Sequence, residues 1–192
     1  MERFLRIVEG GVSCRPIKGT APAGDTGRLS TDTKEIAENT MIVDMVRHDL
    51  RRICRSGSVS VPQLCQPEPY ATLWHLESEV VGDLVEPRAL SAHLAATLPP
   101  ASVAGCPKRQ ALRVIARLEQ RWRGSYCGAV GVCLPDGRAD WSVGIRQAWL
   151  DASGATLQVG AGIVADSNPD REWRELQWKA QATLAWLGRL AT

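Results

Sequence analysis

The chain has 192 residues, with 23 Lys and Arg against 21 Asp and Glu and a formal charge of +2. That length suits one domain with a full core, and the near-balanced charge gives no general electrostatic case for nucleic acid or a membrane surface. No apolar run approaches the ~20 residues of a membrane span, the opening MERFLRIVEGG lacks an apolar signal core, and six scattered cysteines without a CxxC pair predict free thiols in a reducing cytoplasm rather than a zinc site.

Residues 2–18 read as two short strands with Gly10-Gly11 as the hairpin turn between them. The Gly-, Pro-, Ser- and Thr-rich stretch 19–33 reads as a loop. Lys34 to Arg55 is a strong helix, with Ile36, Met41, Ile42, Met45, Val46, Leu50 and Ile53 at helical spacing. Glu35 and Glu38 share a face near its start, where the helix dipole favours negative charge. Strands follow at 59–61 and 70–81. His75 lies in the second, where a histidine is more often a packed core residue than a chemical one. A short helix is predicted at 87–96, a loop at 98–107 and a second strong helix at 108–121. Strands are predicted at 125–133, 139–150 and 157–164. A closing helix runs to Leu190, with Trp178 and Trp186 assigned to the core. The order predicts an α+β domain of largely antiparallel sheet flanked by helices.

One stretch invites a chemical reading. In LQVGAGIVADSNPDREWRELQWK, residues 157–179, Gly160, Ala161 and Gly162 leave backbone N–H groups open to close approach. Asp170 is the predicted N-cap. Glu172, Glu175 and Lys179 recur on one helix face. An anion cradle beside two carboxylates and a lysine suits an anionic ligand held through a metal. A glycine-rich strand end with a solvated helix face accounts for the same residues. A nucleotide site is the weakest reading, since GxGxxG is absent.

Taken together, ERFL, RPIKGT, KEIAEN-MIVDMVRHDL, HLESEVVGDL, SVAGCPK, RGSYCGAVG, IR, GAGIVADS and EWRELQWK stand in one order over residues 2–179. This succession resembles the chorismate-utilising enzymes: anthranilate synthase component I, aminodeoxychorismate synthase component I, and the isochorismate and salicylate synthases. The resemblance implies a chorismate-binding fold, with residues 1–192 as the C-terminal part of the catalytic domain. It implies Mg²⁺, held directly by Glu38 and Glu175 and through waters by Glu35 and Glu172, an oxygen donor set that this ion takes. The metal would grip the ring carboxylate of chorismate. Gly160, Ala161 and Gly162 with Arg146 and Tyr126 would bind the enolpyruvyl carboxylate. Thr20, Ser102, His75 and Lys179 would line the ring pocket, and Glu2 matches the general acid that helps the C4 hydroxyl leave.

Lys18 points to one subfamily. It stands within the PIKGT block where anthranilate synthases usually have alanine and where the sequence is similar to aminodeoxychorismate synthases. There the lysine attacks ring C2 as a neutral amine and expels the C4 hydroxyl, before ammonia enters at C4. The expected product is 4-amino-4-deoxychorismate, for p-aminobenzoate and folate, with a separate glutamine amidotransferase subunit supplying ammonia. Anthranilate synthesis is the near alternative, and a truncated, non-catalytic remnant or interaction module the alternative from another class. The family's sheet continues upstream of the position of Glu2, so an open sheet edge is expected near residues 2–18. Departures from the family pattern include Ala23 where arginine is common, Pro100-Ala101 where a glycine pair is frequent, and Gln147 after Arg146 where threonine is usual.

Overall fold

The computed structural model describes residues 2–22, 26–70, 73–152, 154–165 and 167–190. Ala23 lies outside them. The described chain divides into two units: Met1–Trp122 with Ala129–Val143, and Arg123–Gly128 with Gly144–Thr192.

The first unit is built on a seven-stranded antiparallel sheet. Strands β1 (Arg3–Val8) and β2 (Gly11–Arg15) form the predicted hairpin. Its turn is Glu9-Gly10 rather than Gly10-Gly11, with φ of 52° and 83°. Two positive φ angles give the twist that a two-residue hairpin loop requires. Strand β3 (Ile17–Pro22) begins within the expected strand but runs on into the segment read as a loop. That segment also holds a short helix, α1 (Thr26–Thr31).

Helix α2 (Thr33–Leu50) matches the strongest periodic signal. Asp32 caps it, accepting from the amides of Lys34 and Glu35. Its buried face carries Asn39, Ile42, Val43, Val46, Asp49 and Leu50. Strand β4 (Ser60–Pro69) is far longer than the three residues expected. Although it carries Pro62 and Pro67, β4 is an outer strand that among the described residues pairs with β5 (Leu73–Asp83) alone, a place where proline is tolerated in a sheet. Alternation along β5 buries Leu76, Ser78 and Val80 completely. His75, Glu77 and Glu79 therefore lie on the opposite face.

Helices α3 (Leu90–Thr97), α4 (Ala101–Ala104) and α5 (Lys108–Glu119) follow. The four-residue α4 falls inside the predicted loop 98–107, too short for periodicity to reveal. Strands β6 (Ala129–Cys133) and β7 (Ala139–Val143) return to the sheet. Strand β7 pairs with β1, opposite Arg3 to Ile7. The expected open edge is thereby overturned for Arg3–Arg15, while Ile17 and Lys18 begin β3, which stands at an end of the strand order. Both β1 and β2 are interior strands, with β1 between β2 and β7, and β2 between β1 and β5.

The second unit carries a hairpin of β8 (Gln147–Asp151) and β9 (Gly154–Gln158), then helix α6 (Pro169–Leu190). The single strand predicted over 139–150 is broken after Val143, where Arg146 takes a φ of 54° and the ladder stops. The strand predicted over 157–164 ends at Gln158. Asn168, not Asp170, caps α6, its Oδ1 accepting from the amides of Asp170 and Arg171 at 3.1 Å. Leu176, Ala180, Thr183 and Leu187 form the half-buried side of this helix. Trp178 and Trp186, assigned to the core from sequence, are 67% and 48% exposed. Among the described residues no helix is long and apolar enough to cross a membrane.

One buried histidine gives the fold a pH dependence. His93 on α3 is buried, and burial lowers its pKa from 6.5, partly offset by a hydrogen bond to the Glu86 backbone. The unfolded chain therefore binds a proton that the folded chain resists. Stability is full above pH ~6.5 and falls as the pH drops toward the folded-state pKa. Melting temperature measured at pH 7.5 and 5.0 should drop less in His93→Gln than in the parent; equal drops would remove His93 as the cause.

Candidate functional site

Candidate residues fall in both units, and each unit's set is given by itself. In the first unit, Glu2 precedes β1 and is only 8% exposed. Its carbonyl accepts from the Val143 amide, so β7 holds it in place. Burial raises the pKa of its carboxyl, opposed by hydrogen bonds from the Ser102 side chain and the Ile17 backbone and by the Lys18 charge. A carboxyl so placed tends to keep its proton, as a general acid must. Lys18, the second residue of β3, places Nζ 3.4 Å from the Ser102 carbonyl. Glu2 just before β1, Lys18 of β3 and Ser102 of α4 thus form one cluster. A cavity of about 20 Å³, bordered by Glu2, Cys14, Asp49, Thr97 and Ser102, lies beside it. That volume suits a single water rather than a substrate.

Lys108 anchors the segment that carries Ser102. Its Nζ donates to Asp49 Oδ2 at 2.7 Å and to the Thr97 carbonyl at 2.8 Å. Residues 97 and 108 are both tied to α2 in this way, so α4 between them has little freedom. Thr20 and His75 meet directly across β3 and β5, with Oγ1 and Nδ1 3.0 Å apart. Gly19 has φ +88°, and a Cβ there would lie 3.3 Å from Glu35 Oε2. The absence of a side chain lets Glu35 of α2 pack against the Lys18-Gly19-Thr20 turn. Glu38, one helical turn on, is 3.7 Å from Lys34.

In the second unit, Tyr126 packs its hydroxyl against Gly160, leaving no room for a Cβ at that position. The Arg123 guanidinium stands over the Tyr126 ring, 5.5 Å from its centroid. Lys179 on α6 pairs with Glu175 at 2.5 Å and reaches the Gly160 carbonyl at 3.5 Å. Tyr126, Gly160, Glu175 and Lys179 are therefore assembled together. Ala161 and Gly162 continue the same irregular stretch. Among the described residues, no amide of 160–162 enters a backbone ladder. Arg146 is exposed at the break between β7 and β8. Glu172 lies one turn from Glu175 on α6.

A prediction follows from the close approach at residue 160. Gly160→Ala should push Tyr126 out of place and weaken substrate binding about tenfold or more, read as a rise in KM or in the dissociation constant of a substrate analogue. An unchanged affinity would show that Tyr126 has no part in binding.

The metal assignment can be weighed from donor chemistry. Glu35 with Glu38, and Glu172 with Glu175, each present two carboxylates one turn apart on a helix, and oxygen donors of this kind suit Mg²⁺. Among the described residues no three His, Cys, Asp or Glu side chains converge as ligands. Two of the four acids are paired instead with lysines of their own helices.

Sequence reading passed over several residues here. Asn39 is fully buried, donating to the Leu76 carbonyl and accepting from Ser78 Oγ. The signal was an amide on an apolar helix face, three and four residues before Ile42 and Val43. Asp49 and Lys108 gave no local signal, since 59 residues separate them.

Comparison with known proteins places these residues in context. The family model described as chorismate binding enzyme matches residues 1–185. The chain is 39% identical to anthranilate synthase component 1 of Aquifex aeolicus, over 95% of its own length and 39% of that protein. It is 43% identical to aminodeoxychorismate synthase of Streptomyces pristinaespiralis, over 96% of its length and 27% of the relative. The crystal structure of anthranilate synthase component I from Streptococcus pneumoniae superposes with a TM-score of 0.83 at 37% identity, covering 94% of this chain and 41% of that one. The chain thus spans less than half the length of these relatives.

Proposed function

Because the chain belongs to the chorismate binding enzyme family, we propose that it carries the catalytic residues for amination of chorismate at C4, giving 4-amino-4-deoxychorismate. The observation that carries this reading is the Glu2–Lys18–Ser102 cluster, which sets a primary amine beside a buried carboxyl that favours its protonated form.

The steps balance as follows. Neutral Lys18 forms a bond to ring C2, both ring double bonds shift (C1=C2 to C1=C6 and C5=C6 to C4=C5), and the C4 hydroxyl leaves as water with the proton of Glu2. Ammonia then bonds to C4, both double bonds shift back, and the C2–N bond to Lys18 breaks. Glu2 recovers its proton from the nitrogen centres. Chorismate and ammonia become 4-amino-4-deoxychorismate and water. Ser102 holds Glu2 through its side chain and Lys18 through its carbonyl, fixing both partners of the first step. Arg146, Tyr126 and the 160–162 stretch are assigned to the enolpyruvyl carboxylate, and Thr20, His75, Ser102 and Lys179 to the ring pocket. Glu38 and Glu175, with Glu35 and Glu172, would hold Mg²⁺, which would supply charge compensation for the ring carboxylate. A glutamine amidotransferase subunit is the proposed source of ammonia.

Anthranilate formation is the second reading, favoured by the identity to anthranilate synthase component 1. Incubation of the purified chain with chorismate, Mg²⁺ and an ammonium salt tests both. The expected product carries nitrogen at C4. Anthranilate as the product would establish the alternative, and no turnover of chorismate would overturn catalysis by this chain.

A further inference from the structure

A line of side chains on the His75 face of β5 leads from His75 to a buried ion pair. The Tyr70 ring stands edge-on to the His75 ring, with centroids 5.1 Å apart and planes at 70°. Its hydroxyl donates to Glu77 Oε2 at 2.8 Å. Glu77 is only 3% exposed, and its other oxygen lies 2.7 Å from Arg15 Nε. Arg15 in turn donates to Gln63 Oε1 at 3.3 Å, and Gln63 donates to Glu68 Oε1 at 2.8 Å. Glu68 lies opposite His75 in the β4–β5 register.

These contacts have a purpose that burial alone does not explain. A carboxylate so far from water is costly unless paired and hydrogen-bonded. Glu77 spends one oxygen on Arg15 and the other on a tyrosine that is itself 40% exposed. Tyr70 follows β4 directly, and its amide donates to the Leu73 carbonyl across the β4–β5 turn. Without its hydroxyl anchor, an exposed tyrosine in a turn would sample several rotamers. Held by Glu77, it keeps one, and its ring fixes one side of His75. Thr20 and the Gly19 carbonyl, 3.0 and 3.4 Å from Nδ1, fix the other. Burial and the Glu77 carboxylate push the Tyr70 phenol up to about 12, so it stays a donor across the working pH range.

We infer that Tyr70, anchored by the Glu77–Arg15 pair, is a positioning residue that sets the ring plane of His75. The functional consequence rests on the reading that His75 lines the substrate pocket.

Two measurements separate the inference from that reading. The chain has three histidines, so imidazole NMR signals can be assigned by substitution. Tyr70→Leu should move the His75 ring signals clearly, while Tyr70→Phe, which keeps the ring and loses only the anchor, should broaden or partly shift them. His48 and His93 should not move. Unmoved His75 signals in Tyr70→Leu would overturn the inference whether or not the chain turns over chorismate. In turnover, Tyr70→Leu and Glu77→Gln should each lower kcat about tenfold with KM within about twofold. In a His75→Asn background Tyr70→Leu should add little further loss. Fully additive losses would overturn the positioning role. A parent chain that is inactive while the NMR shifts appear would overturn the functional reading and support the placement of His75.

Discussion

Lys18→Ala should abolish formation of 4-amino-4-deoxychorismate, with a fall in kcat on the order of 10³-fold or more, because no other group in the Glu2–Lys18–Ser102 cluster can form the bond at C2. The fold should survive. Lys18 makes one long hydrogen bond to the Ser102 carbonyl, at 3.4 Å, so the melting temperature should change by only a degree or two. Mass spectrometry of the parent chain, trapped during turnover without ammonia, should show a chorismate-derived adduct that Lys18→Ala lacks. Persistence of C4 amination in Lys18→Ala at near the parent rate would end the covalent mechanism and leave direct attack by ammonia.

Asn39→Ala should cost about 2–4 kcal/mol of folding stability. The amide is fully buried and serves as both donor and acceptor between α2 and β5. Its loss leaves the Leu76 carbonyl and the Ser78 hydroxyl without this partner in a region that water does not reach. Urea unfolding would report the change as a lower midpoint at constant slope. A loss below about 1 kcal/mol would mean that the strand and helix relax to satisfy each other. The substitution should also affect function, since Asn39 fixes the rotation of α2 about its axis. That rotation sets where Glu38, its neighbour, points, and holds Glu35 against Gly19.

Much of the fold was readable from local pattern. Helix α2 announced itself through apolar spacing, and α5 through its strong helical pattern. The first hairpin was readable too, although its turn is shifted by one residue. The misses have specific causes. Strand β4 was read at only three residues; Pro62 and Pro67 fit a strand at the margin of a sheet, and a sequence does not say which strands lie there. A positive φ at Arg146, a residue type with no preference for it, broke one predicted strand into two. Trp178 and Trp186 were assigned inward on hydrophobicity alone, and they face outward.

The candidate site was legible in a different way. Glu2, Lys18 and Ser102 are far apart in sequence and carry no shared local signal. They were grouped by the succession of family blocks, and the sheet then brought them together. Tyr70, Glu77 and Arg15 escaped notice because their link depends on the registers of β4 with β5 and of β2 with β5. Two-residue alternation along β5 does put Glu77 on the His75 side, but cannot show that Tyr70 turns back to meet it.

The pairing of β1 with β7 has a consequence for synthesis. Arg3 is matched with Ser142, about 140 residues later in the chain. At ribosomal speeds of ~5–20 residues per second, the first strand waits on the order of ten seconds for its second neighbour. During that interval the backbone N–H and C=O groups of β1 that pair with β7 lack that partner. Such long-range closure slows folding and lengthens exposure to chance partners. A growing chain of this design should therefore depend on a chaperone until residue 143 has left the ribosome. Pulse-labelled chains released early should be found bound to one.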